Sequence, residues 1–232
     1  VRKSNAPKIL IDHHLQPTEF ADFEFCEVEA SSTAELVFDF LVEMAGKESI
    51  TKDIATCIYT GVMTDTGGFQ FPSTSAKVHR MVADLIDCGV ENYRAFDNVY
   101  NQYTEDRLRF IGHCFSHRLK VYPHYRAALI YVTYEDQEEF RVQKGDTEGL
   151  VNAPLQIMGI RFSALMIERE DIVKISLRSK GDFDVNLMAR KHFGGGGHKN
   201  AAGGSSEKSL EETISAFEKA LPEYEEELVD TI

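Results

Sequence analysis

Residues 8–12, with the sequence KILID, form a short apolar run that ends in Asp12 and is followed at once by His13 and His14. Such a run is typical of a parallel strand that is buried on both faces of a sheet. Open α/β sheets place their ligands beyond the carboxyl ends of such strands. The chain is therefore expected to adopt an α/β fold, with Asp12, His13 and His14 at an edge of the sheet where ligands bind.

Two helices are predicted after this strand. Ser32 and Glu35 have the S-x-x-E spacing of a capping box, and the apolar periodicity behind them predicts a helix of about a dozen residues that ends at Gly46. A second helix is predicted to begin near Thr51 and to carry Asp65 at the end of its apolar stripe.

Further along, residues 69–71 are predicted to form a short strand, and residues 73–75 supply capping side chains for a helix closed by Gly89. Residues 91–118 have a polar helical pattern. From about residue 119 the pattern becomes mainly strand-like, which predicts a second α/β domain. Strands are predicted at 127–133, 161–168 and 172–179, a helix around 146–158, an interruption of regular structure at 194–204, and a last helix through Leu210 and Leu221.

Composition narrows the class of protein. The 25 basic and 38 acidic residues give a formal net charge of −13, which argues against a protein that grips long nucleic acid by neutralising many phosphates. The four cysteines lie far apart, so neither a disulfide framework nor a thiolate zinc site is indicated. No apolar window approaches the roughly 18 residues of a spanning helix, so no membrane partner and a cytoplasmic location are expected.

Asp12, His13 and His14 offer a carboxylate and two imidazoles, which are ligands for a divalent transition ion. Consecutive side chains on a strand point in opposite directions, so one histidine is expected to bind metal while the other faces a substrate or a structural partner. The competing interpretation is a solvated loop with two incidental histidines.

Asp65 is expected to be desolvated and to lie near the negative end of its helix dipole, so that it needs a cation nearby. The alternative is that Asp65 caps backbone amides of the turn formed by Thr66, Gly67 and Gly68.

Four glycines precede His198, and their missing side chains allow backbone amides to approach an anion closely, with Lys199 or Asn200 as added donors. Residues 174–199 hold six basic and two acidic residues, so phosphate is the predicted ligand. A flexible connector is the competing interpretation of a glycine run.

Three motifs, ILIDHH at 9–14, GVMTDTGGF at 61–69 and GGGGHKNAAGG at 194–204, together resemble the DHH phosphoesterase family with its C-terminal DHH-associated domain. Within that family the chain is most similar to the nanoRNases, a branch of oligoribonucleases and 3′-phosphoadenosine 5′-phosphate (pAp) phosphatases often described as exopolyphosphatase-related. The resemblance implies a parallel-sheet DHH domain and a smaller mixed-sheet DHH-associated domain, with the active site in the cleft between them. The implied ranges are 1–103 for the C-terminal part of the DHH domain, 104–119 for a helical connector and 120–232 for the substrate-binding domain.

The resemblance also implies roles for single residues. His13 would bind one of two manganese ions, which magnesium or cobalt could replace, and Asp65 would be a carboxylate ligand of the same cluster. His14 would contact the scissile phosphate, and Asp12 would orient a ligand or act as one. The substrate's phosphate or terminal nucleotide would be held by Arg178, Ser179, Gly195, Gly196, Gly197 and His198.

Earlier motifs of the family, a His-x-x-x-Asp-x-Asp set and a bridging Asp, have no match because the sequence begins after both. Residue 1 is Val rather than Met, so an upstream portion is expected to be missing, and the chain alone is expected to form at most a weakened metal site.

The implied activity is manganese-dependent hydrolysis of short oligonucleotides or pAp by a two-metal mechanism. The partners would be a short single-stranded RNA or a nucleotide phosphate, with a homodimer as an open alternative. Competing functions are a RecJ-like single-strand exonuclease, a cyclic dinucleotide phosphodiesterase, and a non-catalytic nucleotide-binding protein.

Overall fold

The computed structural model describes residues 4–14 and 20–229. The chain divides into two compact units, Val1–Gln102 and Tyr103–Ile232. Both units combine helices with strands, as the sequence predicts for two α/β domains. No helix in the described ranges is long and apolar enough to cross a membrane.

In the first unit, a parallel pair of strands precedes a group of helices. The elements are β1 (Ile9–Asp12), β2 (Phe23–Cys26), α1 (Thr33–Ala45), α2 (Lys52–Asp65), α3 (Ala76–Asp87) and α4 (Asn92–Tyr100), with a 3-10 turn at Lys47–Ser49. The side-chain oxygens of Ser32, Thr51 and Ser75 accept backbone N–H groups at the starts of α1, α2 and α3. The first strand and these three helices are thus confirmed, and their apolar faces form the core of the unit.

Two local predictions for this unit are wrong. β1 is not buried on both faces, because the described part of this sheet consists of β1 and β2 alone. Ile9, for example, is 53% exposed. Residues 69–71 form no strand, because Gly67, Gly68 and Phe69 have φ angles of 59°, 72° and 68°. Three successive residues in the left-handed region make a turn and cannot continue an extended strand.

The second unit is built on a six-stranded mixed sheet. Its strands, in sheet order, are β3 (Leu119–Tyr122), β4 (Ala127–Val132), β5 (Phe162–Glu168), β6 (Val173–Ser179), β8 (Ala201–Ser206) and β7 (Gly196–His198). β4 and β5 run parallel, and the other neighbours are antiparallel. Its helices are α5 (Glu105–His113), α6 (Tyr134–Glu139), α7 (Val185–Phe193), α8 (Leu210–Ala220) and α9 (Glu225–Val229), with a π turn at Cys114–Arg118 and 3-10 turns at Pro123–Tyr125, Leu150–Gln156 and Leu221–Tyr224.

Strand residues alternate between the two faces of this sheet. On β6, Ile175 and Leu177 join a core that includes Met188 of α7 and Phe217 of α8, whereas Arg178 lies on the opposite face. The alternation therefore places Arg178, which is partly buried, on the face opposite the core of α7 and α8.

The three strands predicted at 127–133, 161–168 and 172–179 and the last helix are confirmed. The stretch 146–158 contains a 3-10 turn in place of a regular helix, with Pro154 inside it, which lacks the N–H that a helix requires. The predicted interruption at 194–204 is wrong, because this run forms β7 and the start of β8. The hydrophobic pattern does not reveal α7, although Asp184 as its N-cap and Gly194 at its C-terminus are recognisable signals.

Candidate active site

His13 and Asp65 meet in the first unit, where β1 and α2 both end. Nε2 of His13 lies 3.8 Å from Oδ2 of Asp65. Nδ1 of His13 lies 3.3 Å from the carbonyl oxygen of Ala30, and because a carbonyl only accepts, Nδ1 is the protonated ring nitrogen in this contact. In the neutral ring the lone pair is then on Nε2, which faces the Asp65 carboxylate.

Asp12 organises the turn that carries the two histidines. Its Oδ1 atom accepts the backbone N–H groups of His13 at 2.8 Å and His14 at 3.2 Å, and the Nδ1–H of His14 at 2.7 Å. The hydrogen bond from the His14 ring is the largest of the effects that lower the pKa of Asp12 below its ordinary value. The rings of His13 and His14 lie edge to face, with centroids 4.6 Å apart, so they do not point in opposite directions.

The expected burial of Asp65 is wrong, since 45% of its side chain is exposed. Asp65 is the last residue of α2, and the next residue, Thr66, is the buried one and donates its hydroxyl to the carbonyl of Val62 at 2.6 Å. The alternative role as a cap of the turn amides is not observed either. The amides of residues 67–71 donate to the oxygens of Met63, Thr64 and Thr66.

Among the residues that the structure describes, no three His, Cys, Asp or Glu side chains converge as a metal site. The first unit therefore brings together a pair of metal-ligating atom types, an imidazole nitrogen and a carboxylate oxygen, and not a complete ligand set.

Arg178 and His198 lie on one face of the sheet in the second unit. The pairing register places Ser163, Arg178, Ala201 and His198 side by side across β5, β6, β8 and β7. Residues directly opposite each other in antiparallel strands project to the same face, so Arg178 and His198 flank the small side chain of Ala201. Burial lowers the pKa of Arg178, and its Nη1 donates to the carbonyl of Leu177 at 2.9 Å.

Ser179 is on the opposite face from Arg178 and is buried. Its hydroxyl donates to the carbonyl of Phe183 at 2.7 Å and accepts from the Asn200 side chain at 2.9 Å. Asn200 also donates to the carbonyl of Gly181, and Lys199 pairs with Asp182. These side chains tie the β7–β8 turn to the segment before α7.

The glycines before His198 allow close packing of backbone on backbone. A Cβ atom on Gly195 would lie 1.8 Å from the carbonyl oxygen of Gly203. The N–H of Gly195 donates to the carbonyl of Ala189, and the N–H of Gly197 donates to Oδ1 of Asn186 at 2.9 Å. The amides of Gly195 and Gly197 are thus engaged within the protein, and the interpretation as a flexible connector is wrong because the run belongs to the sheet.

Gly196 differs from its neighbours. A Cβ atom there would meet Oδ1 of Asn186 at 3.5 Å and Nε of Arg190 at 3.7 Å, which are ordinary contacts. Nε of Arg190 also donates to Asn186 at 3.0 Å. The surface beside Gly196 therefore carries a guanidinium that Asn186 positions. The sequence pattern does not single out Asn186, because α7 itself is not predicted.

Comparison with known proteins bears on both units. Residues 1–62 match the DHH family N-terminal domain, and residues 126–227 match the DHHA1 domain. A solved structure described as an exopolyphosphatase-related protein from Bacteroides fragilis matches with a TM-score of 0.94 and 43% identity, over 97% of this chain and 66% of that one.

Two curated relatives are each named bifunctional oligoribonuclease and PAP phosphatase NrnA. The protein from Thermus thermophilus is 32% identical over 95% of this chain and 64% of its own length, and that from Bacillus subtilis is 30% identical over 87% of this chain and 63% of its own length. The chain thus spans slightly less than two thirds of these relatives. The chain therefore carries a segment of the DHH family N-terminal domain in its first unit and a DHHA1 domain in its second unit.

Proposed function

We propose that the complete protein is a manganese-dependent phosphoesterase that hydrolyses short oligonucleotides and pAp. The observation that carries this proposal is the approach of His13 Nε2 to Asp65 Oδ2 at 3.8 Å, at the ends of β1 and α2. The relatives named as oligoribonuclease and PAP phosphatase support the choice of substrates.

The donor atoms of His13 and Asp65 suit a divalent transition ion. Imidazole nitrogen and carboxylate oxygen are both ligands of manganese, and magnesium or cobalt are the alternatives. The contact between Nδ1 and Ala30 gives the ring the tautomer that a metal-binding histidine needs, with the lone pair on Nε2. The pair therefore fits part of a metal site. Bound divalent ions supply a water of lowered pKa and neutralise charge on phosphoryl oxygens.

The residues around this pair have distinct tasks in the proposal. Asp12 accepts three hydrogen bonds from the backbone and ring of the two histidines and so holds the turn in one conformation. We assign His14, whose ring orientation Asp12 sets, to the scissile phosphate. No covalent enzyme intermediate is needed, because water is the nucleophile.

In the second unit, the face that carries Arg178 and His198 is assigned to the substrate's terminal phosphate. Arginine binds phosphate through two parallel N–H groups. The guanidinium of Arg190 lies beside Gly196 of β7, the strand that also carries His198. Of the three glycines assigned to the phosphate, Gly196 is the one at which an added Cβ atom would make only ordinary contacts. Ser179 is assigned to supporting the β7–β8 turn, because its hydroxyl is buried and bonded to Phe183 and Asn200.

The net charge favours short substrates. A chain with a net charge of −13 repels a long polyanion, whereas a single guanidinium such as that of Arg178 can still hold one terminal phosphate. The cytoplasmic location, the homodimer and the interdomain cleft stay predictions.

The test uses the complete protein, purified metal-free, with manganese added back. Product release is followed from a ribodinucleotide, pAp, a long single strand and a cyclic dinucleotide. Fast manganese-dependent cleavage of the dinucleotide and pAp, with slow cleavage of the other two, supports the proposal. Preferred cleavage of the long strand or the cyclic dinucleotide contradicts it in favour of an exonuclease or a cyclic dinucleotide phosphodiesterase. No turnover of any of them indicates a non-catalytic nucleotide-binding protein.

A further inference from the structure

Glu35 is a buried carboxylate close to the turn of the two histidines. It lies in the first turn of α1, with only 4% of the residue exposed. Its Oε2 atom accepts both the backbone N–H and the hydroxyl of Ser31, each at 2.8 Å. A capping box would direct this side chain to the backbone of Ser32, so the observed partner is one residue earlier than the sequence motif predicts.

The N–H that Glu35 binds belongs to the peptide group between Ala30 and Ser31. The carbonyl of the same peptide group accepts Nδ1–H of His13 at 3.3 Å. Because a peptide group is planar, holding its N–H also fixes the direction of its C=O. A carboxylate on the N–H side polarises the group and makes its oxygen a better acceptor for His13.

Glu35 is itself held in place by charge. Its Oε1 atom lies 3.0 Å from Nζ of Lys77 on α3, and Lys77 also binds Asp39 at 2.5 Å. Burial alone would raise the pKa of Glu35, but the hydrogen bonds from Ser31 and the Lys77 charge outweigh it and leave the pKa below its ordinary value. The residue is thus a carboxylate at neutral pH.

We propose that Glu35 is a positioning residue for His13, acting through the Ala30–Ser31 peptide to keep the proton on Nδ1 and the lone pair on Nε2. This role of Glu35 rests on the proposed function in one respect, which is that Nε2 of His13 is taken as the metal-binding atom. The order of contacts is Glu35 carboxylate, peptide N–H, peptide C=O and His13 Nδ1–H, and each contact is observed.

The first experiment measures the tautomer of His13 in this chain without metal. The ring ¹⁵N and ¹³Cδ2 chemical shifts are recorded at mildly alkaline pH, and His13→Gln identifies the signal. The wild-type ring is expected to be the Nδ1–H tautomer. Glu35→Met, which keeps the volume but removes the acceptor, should give a mixture of both tautomers, whereas Glu35→Gln, whose amide oxygen still accepts from Ser31, should retain the wild-type form.

Lys77→Met is the matched control, because it removes the ion pair and leaves the bonds to Ser31. It should lower the melting temperature while the His13 tautomer is unchanged. An Nε2–H tautomer in the wild-type chain overturns the proposal without any variant, and so does a wild-type tautomer in folded Glu35→Met.

In the complete protein, Glu35→Met should raise the manganese concentration for half-maximal activity by up to about 10-fold, because it weakens the carbonyl partner of His13 without removing it, and removal of such a partner costs about 10- to 100-fold. Lys77→Met should change it little. If the tautomer changes while the manganese requirement does not, the result would support Glu35 as a positioning residue but contradict the assignment of His13 as a metal ligand. The two proposals therefore fail separately.

Discussion

Nε2 of His13 and Oδ2 of Asp65 lie 3.8 Å apart, although one follows a strand and the other ends a helix. Each residue comes from a different motif of the sequence, DHH and TDTGG. The first unit brings the two motifs together without a hydrogen bond between these atoms, a separation that leaves room for a shared cation between the two side chains.

The first prediction concerns Asp65→Asn in the complete protein. Turnover should fall at least about 1,000-fold, because an amide oxygen is a weak substitute for a charged metal ligand. Stability should change by no more than about 0.5 kcal/mol, since 45% of the side chain is exposed and the turn amides bind other oxygens. Activity and thermal unfolding are measured on the same preparation.

Asp87→Asn is the matched control, since Asp87 is the last residue of α3 and is also exposed. It should leave both turnover and stability near the wild-type values. Near-normal activity of Asp65→Asn would contradict the assignment of Asp65 as a metal ligand.

These contacts show which features the sequence could predict. The caps at Ser32, Thr51 and Ser75 are local, since each side chain binds an amide three residues later, and the helices that they start are found where predicted. The exposure of Asp65 depends on where the helix ends relative to its neighbours, and the apolar periodicity does not contain that information. Periodicity assigned Asp65 to the buried stripe, whereas Thr66 occupies the buried position.

The glycine run at 194–204 shows a second limit of prediction from the sequence. Glycine has low strand propensity, so 194–204 resembles a loop when only local preference is considered. The run instead forms a hairpin in which the backbones of β7, β8 and the end of α7 approach too closely for side chains, and β8 also pairs with the more distant strand β6. Local preference does not contain the pairing with β6. The bond from Glu35 to Ser31 is equally hidden, since the capping-box motif predicts the neighbouring amide.

A second prediction separates substrate binding from catalysis in the second unit. Arg178→Ala and His198→Ala should each lower kcat/KM for pAp or a dinucleotide about 10- to 100-fold, mainly by raising KM. Lys191→Ala is the control, because Lys191 forms an exposed ion pair with Glu223 and should not affect catalysis. Unchanged kinetics of both variants with every substrate would show that this face does not bind phosphate.

A third prediction compares two adjacent glycines. Gly195→Ala should reduce the free energy of unfolding by about 3 kcal/mol or more, because its Cβ would lie 1.8 Å from the carbonyl oxygen of Gly203. Gly196→Ala should change stability by no more than about 1 kcal/mol, since its nearest contact is 3.5 Å. Chemical denaturation of the two variants checks both values.

If a phosphate approaches the backbone at Gly196, the added methyl group of Gly196→Ala should also lower kcat/KM about 10-fold in the folded enzyme. Equal stability of the two variants would contradict the packing role of Gly195. Full activity of Gly196→Ala would exclude its backbone from the phosphate site.

A fourth prediction concerns acid stability and Asp136, which is 2% exposed in the second unit. Burial would raise the pKa of Asp136, but hydrogen bonds from Arg118 and Thr133 outweigh it and lower the pKa to about 2, against an ordinary 3.8. The side chain also accepts from Nε2 of His113 at 2.8 Å, so it joins α5, the π turn and α6. The folded state thus favours the carboxylate more strongly than the unfolded state does.

The sign of the pH effect follows from this shift. Stabilisation by ionised Asp136 is fully present above about pH 4 and is lost as the pH falls toward about 2, in total on the order of 2 kcal/mol. The melting temperature of Asp136→Asn should therefore be several degrees below that of the wild-type chain at neutral pH. This difference in melting temperature should become smaller as the pH falls from about 4 to about 2. Scanning calorimetry from pH 7 to 2.5 measures this difference. A difference that stays constant over this range would show that the charge of Asp136 does not contribute to stability.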